Sequence, residues 1–343
     1  MRTGGDDVAQ ALALMGVRPT WDEASRRVTG CEILPLSLLG RPRVDVTLRV
    51  SGLFRDAFAN LIELVDRAVR DVAALDEPAD MNPLAARARA EGDATRVFGP
   101  KPGAYGAGLQ ALIDEGGWQR RDELGAAYVA WSGWAYASGE GRAARDELET
   151  RLSKVEAVLQ NQDNREHDIL DSDDYYQFQG GLSAAVERAQ GRAPRVYHVD
   201  TSLPERPRAL TLAEEIAAVV RSRATNPRWI AGCKRHGYKG AFEIAATVDY
   251  LFAYAATTDA VQHHHFDALY DAYLADDDTR AFLADANPAA LREIASRLLE
   301  AQTRTLWRPR LNSTRTLLRR LQDGQFTAED AESAEGRREV TRD

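Results

Sequence analysis

Up to about residue 205, the chain alternates between strand-like and helix-like patterns of hydrophobic residues. Residues 44–50 alternate apolar and polar side chains, which predicts a half-buried strand. Residues 55–75 carry apolar side chains at three- and four-residue spacing, which predicts an amphipathic helix. Short apolar segments predict further strands at 95–98, 155–160 and 195–199, and helices are predicted at 8–15, 122–137 and 181–190. Because strands alternate with helices, we predict an α/β fold with a mostly parallel sheet flanked by helices.

The pattern becomes entirely helical after Pro207. Thr211 and Glu214 have the spacing of a capping box, and Asn287 followed by Pro288 is typical of a helix start. We therefore predict three regions, namely an α/β domain at 1–205 that carries the site loops, an all-α domain at 206–325, and a charged, disordered tail at 326–343.

Composition narrows the class of protein. A net charge of -9 and a pI of about 5.3 argue against binding to nucleic acid. Two cysteines that lie far apart in the chain, Cys31 and Cys233, argue against a disulfide framework and favour the cytoplasm. Apolar runs are too short for a membrane span. A helix is predicted almost from the first residues, which indicates a segment of a longer protein.

The most unusual part of the chain is residues 160–181, called here the acidic segment. It follows the predicted strand at 155–160 with amides and then six charged carboxylates and one histidine. Like charges this close repel one another unless a cation, a basic partner or shared protons relieve them. Two interpretations stay open, an acidic surface turn with helix-capping aspartates or a site for a metal ion or for proton removal.

Loops at the ends of the predicted strands supply further candidates. In a parallel sheet these loops share one edge, where ligands bind. The loop at 99–108, called the glycine loop, could hold an anion through its N–H groups or be a structural tight turn, and it lacks the GK[ST] ending of a P-loop. His198 lies two residues before Asp200 on one face of a strand, so it is either a buried hydrogen-bonded side chain or a site residue. Arg55 is either part of a helix-start ion pair or a ligand for a substrate carboxylate.

Five blocks of sequence carry a family resemblance, at 40–58, 96–118, 160–181, 226–258 and 263–274. Together they resemble the C-terminal part of the large subunit in the family of cobaltochelatase CobN and the magnesium chelatase H subunit. The sequence HDILDSDDYYQF in the acidic segment is similar to the cobalt type.

The resemblance implies an enzyme that forms nitrogen–metal bonds. The family's cobalt-type large subunit binds hydrogenobyrinic acid a,c-diamide and inserts Co²⁺ in aerobic cobalamin biosynthesis. AAA+ type partner subunits use ATP and Mg²⁺, which agrees with the lack of a P-loop here. Since the family's large subunit is far longer, we expect no activity from this chain alone.

Residue roles follow as hypotheses, because carboxylates and histidine suit Co²⁺ and can accept pyrrole protons. The candidate catalytic residues are His167, Asp171 and Glu166, and the candidate metal ligands are His167, Asp168, Asp171, Asp173 and Asp174. The candidate tetrapyrrole contacts are Arg55, Lys101, Gly103, Tyr105, Gly106, Asn161, Tyr175, Tyr176 and His198.

Other functions compete with this one. The chain could be a non-catalytic module that holds tetrapyrrole or docks the ATPase subunits, or it could belong to a magnesium-type large subunit. A metal-dependent hydrolase built on the acidic segment is a further alternative.

Overall fold

The computed structural model describes residues 5–137 and 140–325, so the predicted tail at 326–343 lies outside the described residues. The first part of the chain mixes short strands with helices. Its helices are α1 (Asp6–Met15), α2 (Leu36–Leu39), α3 (Gly52–Ala57), α4 (Ala59–Ala73), α5 (Pro83–Glu91), α6 (Gln110–Asp114), α7 (Arg121–Ser132), α8 (Arg145–Leu152), α9 (Asp173–Tyr175) and α10 (Gly181–Gln190). Its strands are β1 (Val17–Trp21), β2 (Val28–Ile33), β3 (Leu48–Arg49), β4 (Val97–Gly99), β5 (Trp134–Ala137), β6 (Glu140–Ala143), β7 (Ala157–Gln162), β8 (Arg195–Asp200) and β9 (Arg208–Thr211).

The described strands form three small sheets. β1 and β2 make an antiparallel hairpin, β3-β4-β5-β6 form a four-stranded sheet, and β7-β8-β9 form a three-stranded sheet. Among these described strands, only β3 with β4 and β7 with β8 pair in parallel. The α/β class is confirmed, but the prediction of a mostly parallel sheet is wrong and the sheets are mixed. Short connections after β5 and β8 return the chain as antiparallel neighbours.

The strand predicted at 44–50 is shorter than its hydrophobic pattern. Leu48 and Val50 donate backbone hydrogen bonds to the carbonyls of Arg96 and Phe98, each at 2.8 Å. Only Leu48 and Arg49 are paired as strand residues, with Val97 and Phe98. Residues 44–47 pair with no strand among the described residues. They therefore have the apolar–polar alternation of a strand without its hydrogen-bonded pairing.

Seven further helices follow β9 within the described residues. They are α11 (Leu212–Val219), α12 (Pro227–Arg235), α13 (Tyr238–Thr257), α14 (His263–Tyr270), α15 (Asp277–Ala286), α16 (Pro288–Thr303) and α17 (Ser313–Gln322). Single π-helical turns extend α9, α11 and α14. The predicted capping box is confirmed, since the backbone and side chain of Thr211 and Glu214 bond reciprocally. The Asn287 cap is confirmed as well, because Asn287 Oδ1 accepts from the N–H of Ala290 at 3.1 Å.

The largest hydrophobic core centres on α13. Leu251, Phe252 and Tyr254 have essentially no exposed surface, and they share one core with Leu109 and Tyr128 from the first part of the chain. The core therefore includes residues on both sides of the predicted 205/206 boundary, and that boundary stays a prediction. No helix of the described ranges is long and apolar enough to cross a membrane.

Candidate active site

The first half of the acidic segment pairs with an arginine. Arg223 Nε and Nη2 bind the two carboxylate oxygens of Asp168 at 2.5 and 2.9 Å, and Arg223 Nη1 lies 3.2 Å from Asp171 Oδ1. Arg223 lies in the π-helical turn after α11 and its guanidinium lies over the ring of Trp229. The repulsion expected within the segment is thus relieved by a basic partner. Burial and the neighbouring Asp168 still raise the pKa of Asp171.

Glu166 and His167 lie at the exposed tip of this loop. The His167 carbonyl accepts a hydrogen bond from the side chain of Gln162. The Gln162 Oε1 atom also lies 2.9 Å from His198 Nε2. One buried amide therefore connects the loop to β8.

The second half of the acidic segment turns into a helix. Ser172 caps α9 by accepting from the N–H of Asp174. Asp173 and Tyr176 are three residues apart and line one cavity, whereas Asp174 and Tyr175 line a different one. The five predicted metal ligands are consequently not gathered at one point. Within residues 5–137 and 140–325, no group of three or more His, Cys, Asp or Glu side chains is arranged to hold a metal ion.

The glycine loop is held by its carbonyl groups. Arg55 Nη1 donates to the carbonyl of Lys101 at 2.8 Å and to that of Ala104 at 3.2 Å, and Arg55 is buried. The same guanidinium pairs with Asp56, which also accepts from the Tyr105 hydroxyl at 2.8 Å. This geometry supports a structural role for Arg55 in shaping the loop. Lys101 is exposed beside the Trp134 ring.

Glycine is required in this loop by backbone conformation. Gly103, Gly106 and Gly108 have φ angles of 81°, 75° and 78°, which L side chains rarely adopt. A Cβ at Gly108 would lie 3.0 Å from three atoms of Trp131. Glycine at Gly108 therefore lets the loop pack against α7 without displacing Trp131.

Arg49, which is not among the predicted site residues, joins the glycine loop to the second half of the acidic segment. Arg49 Nη2 donates to the Gly106 carbonyl at 2.9 Å, and the guanidinium lies 4.3 Å from the centre of the Phe178 ring. Burial lowers the pKa of Arg49. The loop thus meets the acidic segment near Phe178 and not at His167.

His198 and Asn161 are buried within the second of the two larger sheets. Burial lowers the pKa of His198 from 6.5 to about 4, so the ring is neutral near pH 7. His198 lies edge-on to Tyr175 at 6.0 Å between ring centres. Asn161 Nδ2 donates to Asp7 at 2.7 Å. These contacts favour the buried, hydrogen-bonded interpretation of His198.

The cavity lined by Asp173 and Tyr176 is the strongest candidate site, and we call it the acidic cavity. It has a volume of about 510 Å³ and lies between α6, α9, α13 and α16. Its carboxylates are Asp114, Asp173, Asp249, Glu293 and Glu300. The glycine loop leads into α6, which contributes Gln110, Ile113 and Asp114 to the wall of this cavity, and the acidic segment contributes Asp173 and Tyr176.

One buried arginine holds these carboxylates apart. Arg297 Nε lies 2.6 Å from Asp249 Oδ1, Nη1 lies 2.8 Å from Glu300 Oε2, and Nη2 lies 3.7 Å from Asp114 Oδ1. The guanidinium also lies over the Phe252 ring at 4.7 Å. Five acids and this one arginine line the described part of the cavity wall, so the cavity attracts cations and protons.

Two acids of the cavity, Glu293 and Asp114, bind protons more tightly than usual. Burial, followed by a hydrogen bond to Asp249, raises the pKa of Glu293 from 4.5 to about 7. Burial also raises the pKa of Asp114, and it raises the pKa of Tyr250 to about 12. Two carboxyls that share a proton near neutral pH can act as a general acid and base.

The sequence pointed to Asp173 and Tyr176 but not to Asp249, Glu293 or Arg297. Asp249 lies in the otherwise apolar stretch around Val248 and Leu251. A carboxylate within such an apolar helix is the feature of the sequence that could have indicated a site residue. Glu293 and Arg297 are four residues apart on α16, which also resembles an ordinary surface ion pair. Their convergence depends on how α16 packs on α13.

Comparisons with known proteins agree with this fold. A model of the CobN/magnesium chelatase family matches residues 1–314, so the chain belongs to that family and the predicted resemblance is confirmed. The aerobic cobaltochelatase subunit CobN of Sinorhizobium sp is 59% identical over 332 residues, which are 92% of this chain and 26% of that protein. The magnesium-chelatase H subunit of Rhodobacter capsulatus is 35% identical over 324 residues, covering 90% of this chain and 27% of that protein.

A solved structure is similar as well. The catalytic subunit of cobaltochelatase from Mycobacterium tuberculosis matches with a TM-score of 0.90 and 46% identity, over 93% of this chain and 28% of that chain. This chain therefore spans about a quarter of the length of these relatives.

Proposed function

We propose that this chain forms part of the catalytic large subunit of an ATP-dependent cobaltochelatase. In this proposal the complete large subunit inserts Co²⁺ into hydrogenobyrinic acid a,c-diamide in aerobic cobalamin biosynthesis, in the cytoplasm. AAA+ type subunits supply the energy of ATP with Mg²⁺, and the chain alone is inactive. The identity of 59% to a cobalt-type relative, against 35% to a magnesium-type relative, supports cobalt.

The acidic cavity supplies the proton acceptors in this mechanism. Inserting a divalent ion into a tetrapyrrole replaces protons on pyrrole nitrogens, and those protons must leave the site. Glu293 has a pKa of about 7 and is hydrogen-bonded to Asp249, so it exchanges protons readily at neutral pH. Arg297 balances the charge of Asp249 through the 2.6 Å ion pair.

The observation that carries the proposal is the shared wall of the acidic cavity. Asp173 and Tyr176 from the acidic segment face the Asp249–Glu293 pair across the same space. Residues predicted from sequence and residues found only in the structure thus meet where an acid–base step is possible. We assign proton acceptance to this group of side chains.

The exposed tip of the acidic segment has a different role in the proposal. Glu166 and His167 face solvent, and oxygen and imidazole donors suit Co²⁺. They would make the first contact with the incoming ion, with Asp171 nearby. Lys101 and Tyr105 are exposed on the glycine loop and would contact the periphery of the tetrapyrrole.

The proposal is tested with the complete large subunit that contains this region. It is assayed with its ATPase partner subunits, ATP, Co²⁺ and hydrogenobyrinic acid a,c-diamide, and the absorbance of the tetrapyrrole reports insertion. Asp249→Asn and Asp173→Asn are expected to slow insertion by about 100-fold while tetrapyrrole binding is retained. Glu115→Gln, an exposed acid outside the cavity, is the matched control.

The same assay separates the two halves of the acidic segment. The double variant His167→Ala with Asp171→Ala tests capture of the ion, and its defect should be reduced at high Co²⁺ concentration. Insertion at the unmodified rate in both cavity variants would remove the acidic cavity from the mechanism.

A further inference from the structure

A second cavity separates the two larger sheets. It has a volume of about 690 Å³ and is lined without interruption by residues 43–51 and by residues 154–161. These two stretches contain β3 and all but the last residue of β7, which are the outer strands of their sheets. We call this cavity the inter-strand groove.

Both strands present their edges to the groove. Side chains of a strand alternate between its two faces, so only an edge can expose every consecutive residue to one cavity. Leu48 and Val50 donate towards β4, which turns the peptide groups of Thr47 and Arg49 towards the other edge. The carbonyls of Glu156 and Gln162 accept from residues at the ends of β8, so the peptide groups of residues 157, 159 and 161 also face away from β8.

The groove has the lining of a protein interior. Its rim holds exposed apolar side chains, with Val44 41% exposed, Leu159 45% and Leu53 54%. Phe178 and Leu182, from the helical layer beneath, also line it. Exposed edges with apolar side chains are normally covered in native proteins, because they otherwise recruit another strand.

Buried polar atoms in the groove also lack partners. Asn161 is 5% exposed and lines the groove, and its Oδ1 atom has no hydrogen-bond partner among the described residues. Arg151 is likewise 5% exposed, and its Nε and Nη1 atoms have none within the same ranges. Such groups are nearly always satisfied in complete proteins, so the walls of the groove are not fully hydrogen-bonded by the described part of the chain.

We propose that the inter-strand groove accepts an extended segment from the portion of the large subunit that this chain does not span. The chain covers about a quarter of its relatives, so each relative carries a long additional region that can supply such a segment. The segment pairs as a β-strand with residues 44–50 on one side and 157–161 on the other, and it places apolar side chains over Phe178 and Leu182. Pairing would extend the ladder along residues 44–47, which already have the alternating pattern of a strand.

The test uses this chain and the remaining region of the Sinorhizobium relative, produced together as two polypeptides. We expect the two to purify as a complex, and we expect hydrogen exchange at the amides of residues 47, 49, 157, 159 and 161 to slow by at least about tenfold relative to the chain alone. Neither metal nor tetrapyrrole is present, so a negative result here is separable from failure of the proposed reaction.

Proline variants test the main-chain hydrogen bonds. Thr47→Pro and Ala157→Pro remove N–H groups that face only the groove, a position where an outer strand tolerates proline. Each is expected to weaken the complex by about tenfold. Thr47→Val and Ala157→Val keep the N–H groups and are the matched controls. Leu159→Glu, which replaces an exposed apolar side chain and keeps all backbone N–H groups, is expected to weaken the complex to the same extent.

Four results would overturn the proposal. These are the absence of a complex, a complex in which exchange at the five amides is unchanged, binding by the proline variants equal to that of the valine controls, and protection of the same amides by self-association of the chain alone.

Discussion

Arg297 should be the side chain on which the acidic cavity depends most. It is 9% exposed and is the basic partner of Asp249, Glu300 and Asp114 in the cavity wall. Arg297→Met keeps the length and apolar contacts of the side chain but removes its charge. The variant therefore leaves Asp249 and Asp114 without this cation, while Glu300 keeps its ion pair with Arg304 at 2.7 Å.

The magnitude follows from how far each partner is buried. Removing one member of a buried ion pair costs about 3–5 kcal/mol, and exposed pairs are worth about 1 kcal/mol or less. The side chains of Asp249 and Glu300 are 21% and 24% exposed, whereas Asp114 is 52% exposed. We expect the free energy of unfolding to fall by about 2–3 kcal/mol at pH 7.5, most of it from the pair with Asp249, because Glu300 keeps its ion pair with Arg304.

The loss should depend on pH. Burial raises the pKa of Glu293 and of Asp114, and Arg297 counteracts this rise, so its removal moves both further above their unfolded values. A carboxyl with a raised pKa stabilises the folded state when protonated, and this contribution disappears as the pH rises through the folded pKa. The difference between Arg297→Met and the unmodified chain should therefore shrink as the pH falls from 7.5 to 4.5.

Urea denaturation at these two pH values measures the effect. Arg292→Met, on the exposed side of the same helix, is the control and should change stability by less than about 0.5 kcal/mol. If both variants behave alike, or if the loss is the same at pH 7.5 and 4.5, then the carboxylates of the cavity do not depend on Arg297.

Three other predictions concern the neighbouring elements. Arg223→Gln should lower the free energy of unfolding by about 1–3 kcal/mol because Asp168 loses its partner. Arg221→Gln, at an exposed position, is the control, and an equal loss of stability for both variants in denaturation would contradict the prediction. His198, with a pKa lowered to about 4, should cost the unmodified chain about 3 kcal/mol as the pH falls from 7 to 4; His198→Gln should lose this dependence, and an unchanged pH profile would count against a buried neutral ring. Gly108→Ala should destabilise the fold by at least about 2 kcal/mol, because the new Cβ contacts Trp131 in addition to straining the backbone. Gly103→Ala should cost about 1 kcal/mol, because its Cβ would have open space around it. Equal decreases in melting temperature for the two variants would contradict this difference.

Local signals in the sequence predicted local structure well. The capping residues Thr211 and Asn287 act as predicted, and the helix at 181–190 has the bounds of α10. Strands β7 and β8 lie within two residues of their predicted positions. These features depend on neighbouring residues, which a single sequence displays directly.

Pairing between distant strands was predicted less well. Alternation of strands and helices suggested a parallel sheet, but β5 and β9 return as antiparallel neighbours. The hydrophobic pattern predicts residues 134–137 as the end of a helix, because aromatic residues at 128–136 fit both periodicities. The choice between helix and strand there depends on the ladder with β4 and β6, which is not visible in local sequence.

The candidate site shows the same limit. The acidic segment stands out in the sequence, and Asp173 and Tyr176 do line a cavity. A parallel sheet would bring the first half of the segment to the glycine loop, yet Asp168 and Asp171 pair with Arg223, and Glu166 and His167 are exposed. Arg223 is more than fifty residues away along the chain, so charge density in one segment could not reveal its partner.

The pH dependence of metal insertion by the complete large subunit, with and without Glu293→Gln, tests the central claim most directly. Because the pKa of Glu293 is about 7, the insertion rate of the unmodified protein should rise through pH 7 as the carboxylate becomes available to accept a proton. Glu293→Gln should insert Co²⁺ slowly at every pH and show no inflection near 7. An inflection near pH 7 that persists in the variant at an undiminished rate would contradict a proton-accepting role for the acidic cavity.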